Sequence, residues 1–262
     1  MYDMKKENEM FNQLNLDIMM DKAQMDSFLS SLDNPDYCAF AEDREYPIHS
    51  VDELPIRWVG RKNGRGIIGD AQPGEFYAFQ IGVYAAAVEL KNIQINCTDL
   101  VSDKNVIPSA DLRCFNLGGV DCWGKEMVKT IDVDKGRVQP LWFGVAIPRH
   151  ADGNTYYGSV AITADDVDTI TVGFQINVSG EALEDCGDSE PWRHSRLRWL
   201  DSTIAVDDEL TAPFTPLTVK DTTVEFLGRK VVLAQSGLPK EIHSMFSPTV
   251  ETIDESISWL LR

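Results

Sequence analysis

The stretch Gln139-Pro-Leu-Trp-Phe-Gly-Val-Ala-Ile147, with its counterpart Thr169-Ile-Thr-Val-Gly-Phe-Gln-Ile-Asn-Val-Ser179, decides the fold class of this 262-residue chain. In the first, Leu141, Phe143, Val145 and Ile147 fall on one face of an extended backbone, with Trp142, Gly144 and Ala146 on the other. In the second, Ile170, Val172, Phe174, Ile176 and Val178 alternate with Thr, Gly, Gln and Asn. A helix would scatter both sets around its circumference. Strands that are apolar on one side need a second layer against that side, so the pattern predicts sheet packed on sheet.

Similar runs flank these two. Strands are expected at 56–59, 75–85, 90–98, 112–117, 138–147, 156–164 and 169–179, separated by Gly, Pro, Asn and Asp turns. Short strands with such turns, and no βαβ spacing between them, predict an all-β, Ig-like antiparallel β-sandwich. Upstream, Phe11, Leu14, Ile18, Met25, Phe28, Leu29 and Leu32 recur at three- and four-residue steps, which predicts a helix over 4–32 ended by Asn34-Pro35. Residues 38–54 are acidic and punctuated by proline, which suits a linker. Beyond Pro213 and Pro216 come a hairpin turned at Gly228-Arg229, a strand at 242–246 and a helical spacing over 248–262. The expected organisation is an N-terminal helix and acidic linker over 1–50, the sandwich over 51–217, and a partial β segment over 218–262 that opens a second, truncated domain.

Lys and Arg total 24 against 42 Asp and Glu, a formal charge of -18, which repels phosphate backbones and anionic bilayers alike. No nucleic-acid or membrane partner is expected. The five cysteines, Cys38, Cys97, Cys114, Cys122 and Cys186, show no CxxC pair, so neither zinc nor a disulfide framework is expected. No metal or other cofactor is called for. The N-terminal Met1-Tyr-Asp-Met-Lys-Lys-Glu-Asn-Glu9 has no apolar leader core; as written the chain is expected to be soluble, and either it stays in the cytoplasm or a leader has been removed.

One segment breaks the acidic trend. Pro191-Trp-Arg-His-Ser-Arg-Leu-Arg-Trp-Leu-Asp-Ser-Thr203 concentrates cations and tryptophans. Trp192, Arg193, Arg196, Arg198, Trp199 and Asp201 supply aromatic faces and planar donors, the groups that recur at interfaces and at sugar hydroxyls. Trp142, on the side of its strand away from the apolar row, either stacks on a sugar or is covered by a neighbouring element. These residues are the candidates for docking a domain or for binding carbohydrate. Acid pairs are abundant, at Asp165-Asp166, Asp132 with Asp134, and Asp207-Asp208-Glu209, but they sit in polar loops. Glycosidic chemistry needs two carboxyls about 5–9 Å apart across a cleft, one with a raised pKa, so none is assigned a catalytic role. His49, His150, His194 and His243 are scattered and lie beside no nucleophile.

Five strings carry a family resemblance: Arg65-Gly-Ile-Ile-Gly-Asp-Ala-Gln-Pro-Gly-Glu-Phe76, Leu112-Arg-Cys-Phe-Asn-Leu-Gly-Gly-Val-Asp121, Gln139-Pro-Leu-Trp-Phe-Gly-Val-Ala-Ile-Pro148, Arg196-Leu-Arg-Trp-Leu-Asp-Ser-Thr203 and Gly237-Leu-Pro239. Over residues 55–247 the chain resembles the N-terminal, non-catalytic β-sandwich region of glycoside hydrolase family 123-like proteins. The resemblance implies retaining β-N-acetylhexosaminidases in which the substrate's acetamido group attacks the anomeric carbon, helped by an Asp-Glu pair on a C-terminal (β/α)8 barrel. Such a barrel takes about 250 residues, so it has no room here, and no acid, base or stabiliser carries over to this chain. The implied function is an accessory domain that supports the barrel, with a stand-alone carbohydrate-binding module or a protein-interaction domain as alternatives. The expected partners are that barrel or a glycan, with self-association through exposed strand edges.

Overall fold

The two apolar rows face each other. Phe79 lies between them, its ring 5.2 Å from Phe143 in a stacked arrangement and 5.1 Å from Phe174. The structure is a computed structural model describing residues 17–59, 64, 66–151, 153–204, 210, 213–247 and 253–261, with backbone alone over 254–261. The chain divides into two units, Met1–Ser202 and Thr203–Arg262.

In the first unit, helix α1 (Lys22–Ser30) precedes strands β1 (Tyr37–Asp43), β2 (Ile67–Ala71), β3 (Phe76–Ala85), β4 (Gln94–Cys97), β5 (Leu100–Val101), β6 (Val106–Ile107), β7 (Leu112–Cys114), β8 (Gly118–Val120), β9 (Glu126–Val128), β10 (Val138–Ala146), β11 (Asn154–Thr163) and β12 (Ile170–Val178). Sheet one runs β1-β3-β10-β7, and sheet two runs β2-β12-β11-β5-β6 with β4 also on β11; β8 and β9 form a separate hairpin. The core between the sheets takes alternate residues from each, including Tyr77, Phe79, Ile81 and Val83 from β3, Leu141, Phe143 and Val145 from β10, and Val172, Phe174 and Ile176 from β12. Burying each such side chain contributes about 1.5–3 kcal/mol. A polar tie joins the layers: the Tyr37 hydroxyl donates to the carbonyls of Ile162 (3.0 Å) and Asp168 (2.7 Å) and accepts from the Ile170 amide (3.0 Å). Burial pushes that phenol up to about 12, so it stays protonated.

The all-β, sandwich-like class holds, and several local expectations are corrected. Residues 38–54 are not only a linker, because they contain most of β1. That strand is covered on both faces, so its sequence lacks alternation: Tyr37, Ala39 and Ala41 enter the core, while Cys38 and Phe40 pack under α1 and Trp58. Its acid Glu42 is buried and accepts from the Trp58 indole and the Arg57 guanidinium. Residues 56–59 form a 3-10 turn, Ile56–Trp58, instead of a strand. The turn sends Trp58, fully buried, onto the outer face of sheet one at Gly82, where a Cβ would lie 2.6 Å from the indole. Of the helix expected over 4–32, the part from 22 to 30 is observed, started by a capping box in which Asp21 and Gln24 exchange hydrogen bonds (2.8 and 2.9 Å); residues 1–16 lie outside the described residues. The sandwich is not antiparallel throughout, since β2 pairs parallel with β12. Most of the sandwich separates those two strands in sequence and serves as the crossover that a parallel pair requires.

The second unit is one antiparallel meander, β13 (Thr218–Lys220), β14 (Thr223–Phe226), β15 (Arg229–Leu233), β16 (Pro239–Phe246) and β17 (Ile253–Leu261), in that order. Helical spacing over 248–262 gives way to β17 because Ile253, Ile257, Trp259 and Leu261 also fit a period of two, and pairing with β16 selects it. Asp207-Asp208-Glu209 lies outside the described residues. No described helix is long and apolar enough to cross a membrane.

Removing the ring that joins both rows tests the layering. Phe79→Ala is expected to destabilise the chain by about 3–5 kcal/mol in urea unfolding, and a loss below 1 kcal/mol, on the same scale, would contradict the packing.

Candidate functional site

Residues 191–201 form a strap of two 3-10 turns, Pro191–Arg193 and Ser195–Asp201. Pro191 presets the first turn, and His194, in the left-handed region at φ 56°, joins the two. The strap crosses the outer face of sheet one at β3 and β10 and reaches β8.

A buried charge cluster pins it there. Glu75, with its side chain fully buried, holds Arg44 on one carboxylate oxygen and Arg193 on the other, the latter at 2.8 Å. The second oxygen also accepts from the Gln72 amide at 2.8 Å. Arg44 donates to the Asp70 carbonyl at 2.9 Å, and Arg193 reaches Gln72 Oε1 at 2.5 Å. Trp192 lies against both guanidiniums, 4.8 Å from Arg44 and 4.4 Å from Arg193, with its indole N–H on Glu190 at 2.9 Å. Two buried cations around one buried anion are tolerated because nearly every donor is engaged.

A second cluster closes the other end. Asp188 pairs with Arg198, accepts from the Trp199 indole at 3.2 Å, and offers its carbonyl to Arg196 at 2.8 Å. Arg196 stacks over Trp199 at 5.3 Å. Asp201 pairs with Arg113 of β7 at 2.6 Å and packs so tightly on β8 that a Cβ at Gly119 would lie 2.9 Å from its carboxylate.

Trp142 is half-buried beneath His194, with ring centroids 5.4 Å apart. The cover comes from the strap, which the sequence reading did not connect to it. Burial, and then the nearby Arg44 charge, lowers the His194 pKa below its usual 6.5. Of the seven candidate residues, Trp192, Arg193, Arg196, Arg198, Trp199 and Asp201 share the strap and Trp142 lies under it. The arginines and Asp201 already hold partners within the unit.

Sequence reasoning missed the organisers Arg44, Glu75, Asp188 and Glu190. Glu75 carried a signal, since it stands in the inward register of Tyr77 and Phe79, where an acid must find buried partners. It also missed the exposed apolar groups around the strap: Trp123 (74 % exposed) and Val128 (82 %) on the β8–β9 hairpin, and Trp199 (52 %) and Leu200 (63 %) on the strap. Asp132 accepts from the Asn92 backbone amide at 2.9 Å and pairs with Lys91 at 3.1 Å, which lowers its pKa. Among the described residues no His, Cys, Asp and Glu cluster has metal-holding geometry, and the five cysteines are free. Burial holds the Cys97 and Cys114 thiols up at about 11, so neither is a ready nucleophile.

Residues 217–262 match the family model of the glycoside hydrolase 123, third domain. The matched segment is the β13–β17 meander, so what is similar to that family is the second, β-rich unit. The match takes in only the end of residues 55–247, which carried the resemblance in sequence. A solved family 123 glycoside hydrolase from Clostridium perfringens, a study of glycolipid glycan hydrolysis, is 15% identical with a TM-score of 0.41, over 56% of this chain and 28% of that one. The chain therefore spans little more than a quarter of that glycoside hydrolase 123 enzyme. The ASH/PapD-like domain of human CEP192 is 13% identical with a TM-score of 0.31, covering 46% of this chain and 84% of that domain. Spo0M, a sporulation control protein from Bacillus subtilis, is 9% identical with a TM-score of 0.27, covering 73% and 84%. No curated protein matches the chain.

Two outcomes test the strap. Glu75→Gln, which leaves two buried guanidiniums without their anion, is expected to cost about 3–5 kcal/mol in urea unfolding; an unchanged midpoint would refute the pinning role. Because His194 binds its proton less readily when folded, its contribution is complete above the unfolded pKa and is lost as pH falls below about 6.5 toward the lowered folded value. His194→Gln should flatten that part of the stability profile, and a slope identical to the parent's would contradict the burial of the ring.

Proposed function

We propose that this chain is a non-catalytic, accessory β-sandwich region of a glycoside hydrolase 123-like protein, serving to support a catalytic (β/α)8 barrel supplied by another polypeptide segment. The observation that carries this reading is the match of residues 217–262 to a domain counted third within a glycoside hydrolase family. The Ig-like character expected from the strand spacing belongs to the same reading. The docking face is the apolar rim formed by Trp123, Val128, Trp199 and Leu200. Interface cores are enriched in aromatic and depleted in charged groups, and here Arg193 is drawn inward and Arg198 is paired with Asp188 while Trp199 and Leu200 stay outside. The buried Arg44–Glu75–Arg193 cluster makes that rim rigid, which lowers the entropy lost on docking.

A carbohydrate-binding role for the strap itself is weaker. Arg196, Arg198 and Trp199 already bond to Asp188, and Trp142 lies beneath His194. Sugar hydroxyls would have to displace those contacts.

The test has two readouts. The purified chain is expected to leave 4-nitrophenyl N-acetyl-β-hexosaminides uncleaved, and turnover by the chain alone would overturn the non-catalytic assignment. Added to the isolated catalytic barrel of a glycoside hydrolase 123 enzyme, it should bind, with Trp199→Ala weakening the complex by about tenfold or more. Binding indifferent to Trp199→Ala and Leu200→Ser would remove the rim from the account.

A further inference from the structure

The outer face of sheet two differs from that of sheet one. The helix, Trp58 and the strap roof sheet one, whereas on sheet two Tyr157 is 58 % exposed and Ile68 71 %. Alternate residues of β2, β12, β11, β4, β5 and β6 turn outward there, their neighbours entering the core. Asp70 is the one charged residue among these outward strand positions, in a chain that is 25% charged with a net charge of -18. The others are hydroxyls, amides, glycine and small apolar groups. Such a face has almost nothing to offer an ionic partner.

It does have a trough. Gly173 sits in the middle of β12 with no positive φ, and a Cβ there would meet only the Gly158 carbonyl oxygen, at 3.9 Å. Neither packing nor backbone conformation therefore demands glycine, which weakens a strand interior and recurs where a ligand approaches the backbone. Tyr157, Ile68 and Gln175 border the position, and together they line a cleft of about 610 Å³ that extends to the acids Glu42 and Asp43 and to Tyr46. Beside the trough the amides are already ordered: Gln175 Nε2 donates to Asn177 Oδ1 at 2.8 Å, and Asn177 Nδ2 donates to Asp70 at 3.1 Å. That relay leaves the Gln175 carbonyl oxygen to accept from a ligand.

We propose that this face binds a neutral glycan, with one sugar ring stacked on Tyr157 and the chain running through the trough over Gly173. The C–H face of a pyranose suits an aromatic ring, and the amides and Asp70 suit its hydroxyls. The outward strand positions, uncharged apart from Asp70, accept an uncharged ligand, while Glu42 and Asp43 at the end of the cleft and the acidic chain around it repel anionic ones. The site lies on the opposite sheet from the strap and goes beyond the supporting role, so either can fail without the other.

Affinity electrophoresis of the full chain in gels containing laminarin, xylan, galactomannan or hydroxyethylcellulose, with polygalacturonate as the anionic control, tests the proposal. At least one neutral polymer should retard the chain, and polygalacturonate should not. Tyr157→Ala should weaken that retardation about tenfold. Gly173→Thr, whose side chain the fold accommodates, should fill the trough and weaken it as well, whereas Trp199→Ala should leave it unchanged. If Tyr157→Ala lowers thermal stability, Gln175→Ala reads the same site. The proposal is overturned if no neutral polymer retards the chain, or if the retardation survives both Tyr157→Ala and Gly173→Thr. A dimer in sedimentation that Tyr157→Ala disperses would also overturn it, by making the face a contact between copies.

Discussion

Adjacent tyrosines at 156 and 157 separate inside from outside in this protein: Tyr156 is fully buried and Tyr157 is 58 % exposed. Side chains on a strand alternate with a period of two, so a slip of one residue in β11 would exchange its entire core row with its solvent row. The register holds because Phe79 meets Phe143 and Phe174 across the core, and because the Tyr37 hydroxyl ties β1 to the Ile162 carbonyl and the Ile170 amide. Each location in the first unit that matters for function inherits its orientation from that alternation.

Sheet one is covered on both faces, and this explains how the strap behaves. Burying its outer face required partners for Glu42, which Trp58 and Arg57 supply, and burying Glu75 and Arg193 at the start of β3 required Arg44, Gln72 and Glu190. A buried charge left alone is strongly destabilising, whereas a cluster with matched donors and acceptors is tolerated and fixes one geometry. One consequence is that Arg193 faces inward, held by Glu75. Trp199 and Leu200 remain outside, which favours a protein surface over a sugar as the strap's partner.

Much of the sandwich was legible in sequence because β3, β10, β11 and β12 bury one face only, or carry their second-face contacts on small residues such as Ala78, Gly82 and Gly144. β1 was not legible, since Tyr37-Cys-Ala-Phe-Ala-Glu-Asp43 is covered from both sides and ends in acids that are neutralised by residues far away in the chain. The four-residue run Ile56-Arg-Trp-Val59 is too short to carry a period that tells a strand from a turn, so the sequence alone places Trp58 in a strand. The tryptophans and arginines of the strap were visible as a composition shift, but their partners Glu75 and Arg44 lie more than a hundred residues upstream. Tyr157 escaped notice for a different reason: the absence of charge on a surface is a property of several strands side by side and shows only when the sheet is assembled.

Which residues of each strand point outward decides both the core and the glycan face, and aromatic side chains report that directly. Limited nitration of the native chain, mapped by peptide mass spectrometry, should modify Tyr157 and spare Tyr156, Tyr37 and Tyr77. Modification of Tyr156 with protection of Tyr157 would contradict it, because the core row and the proposed glycan row of β11 would then have changed places.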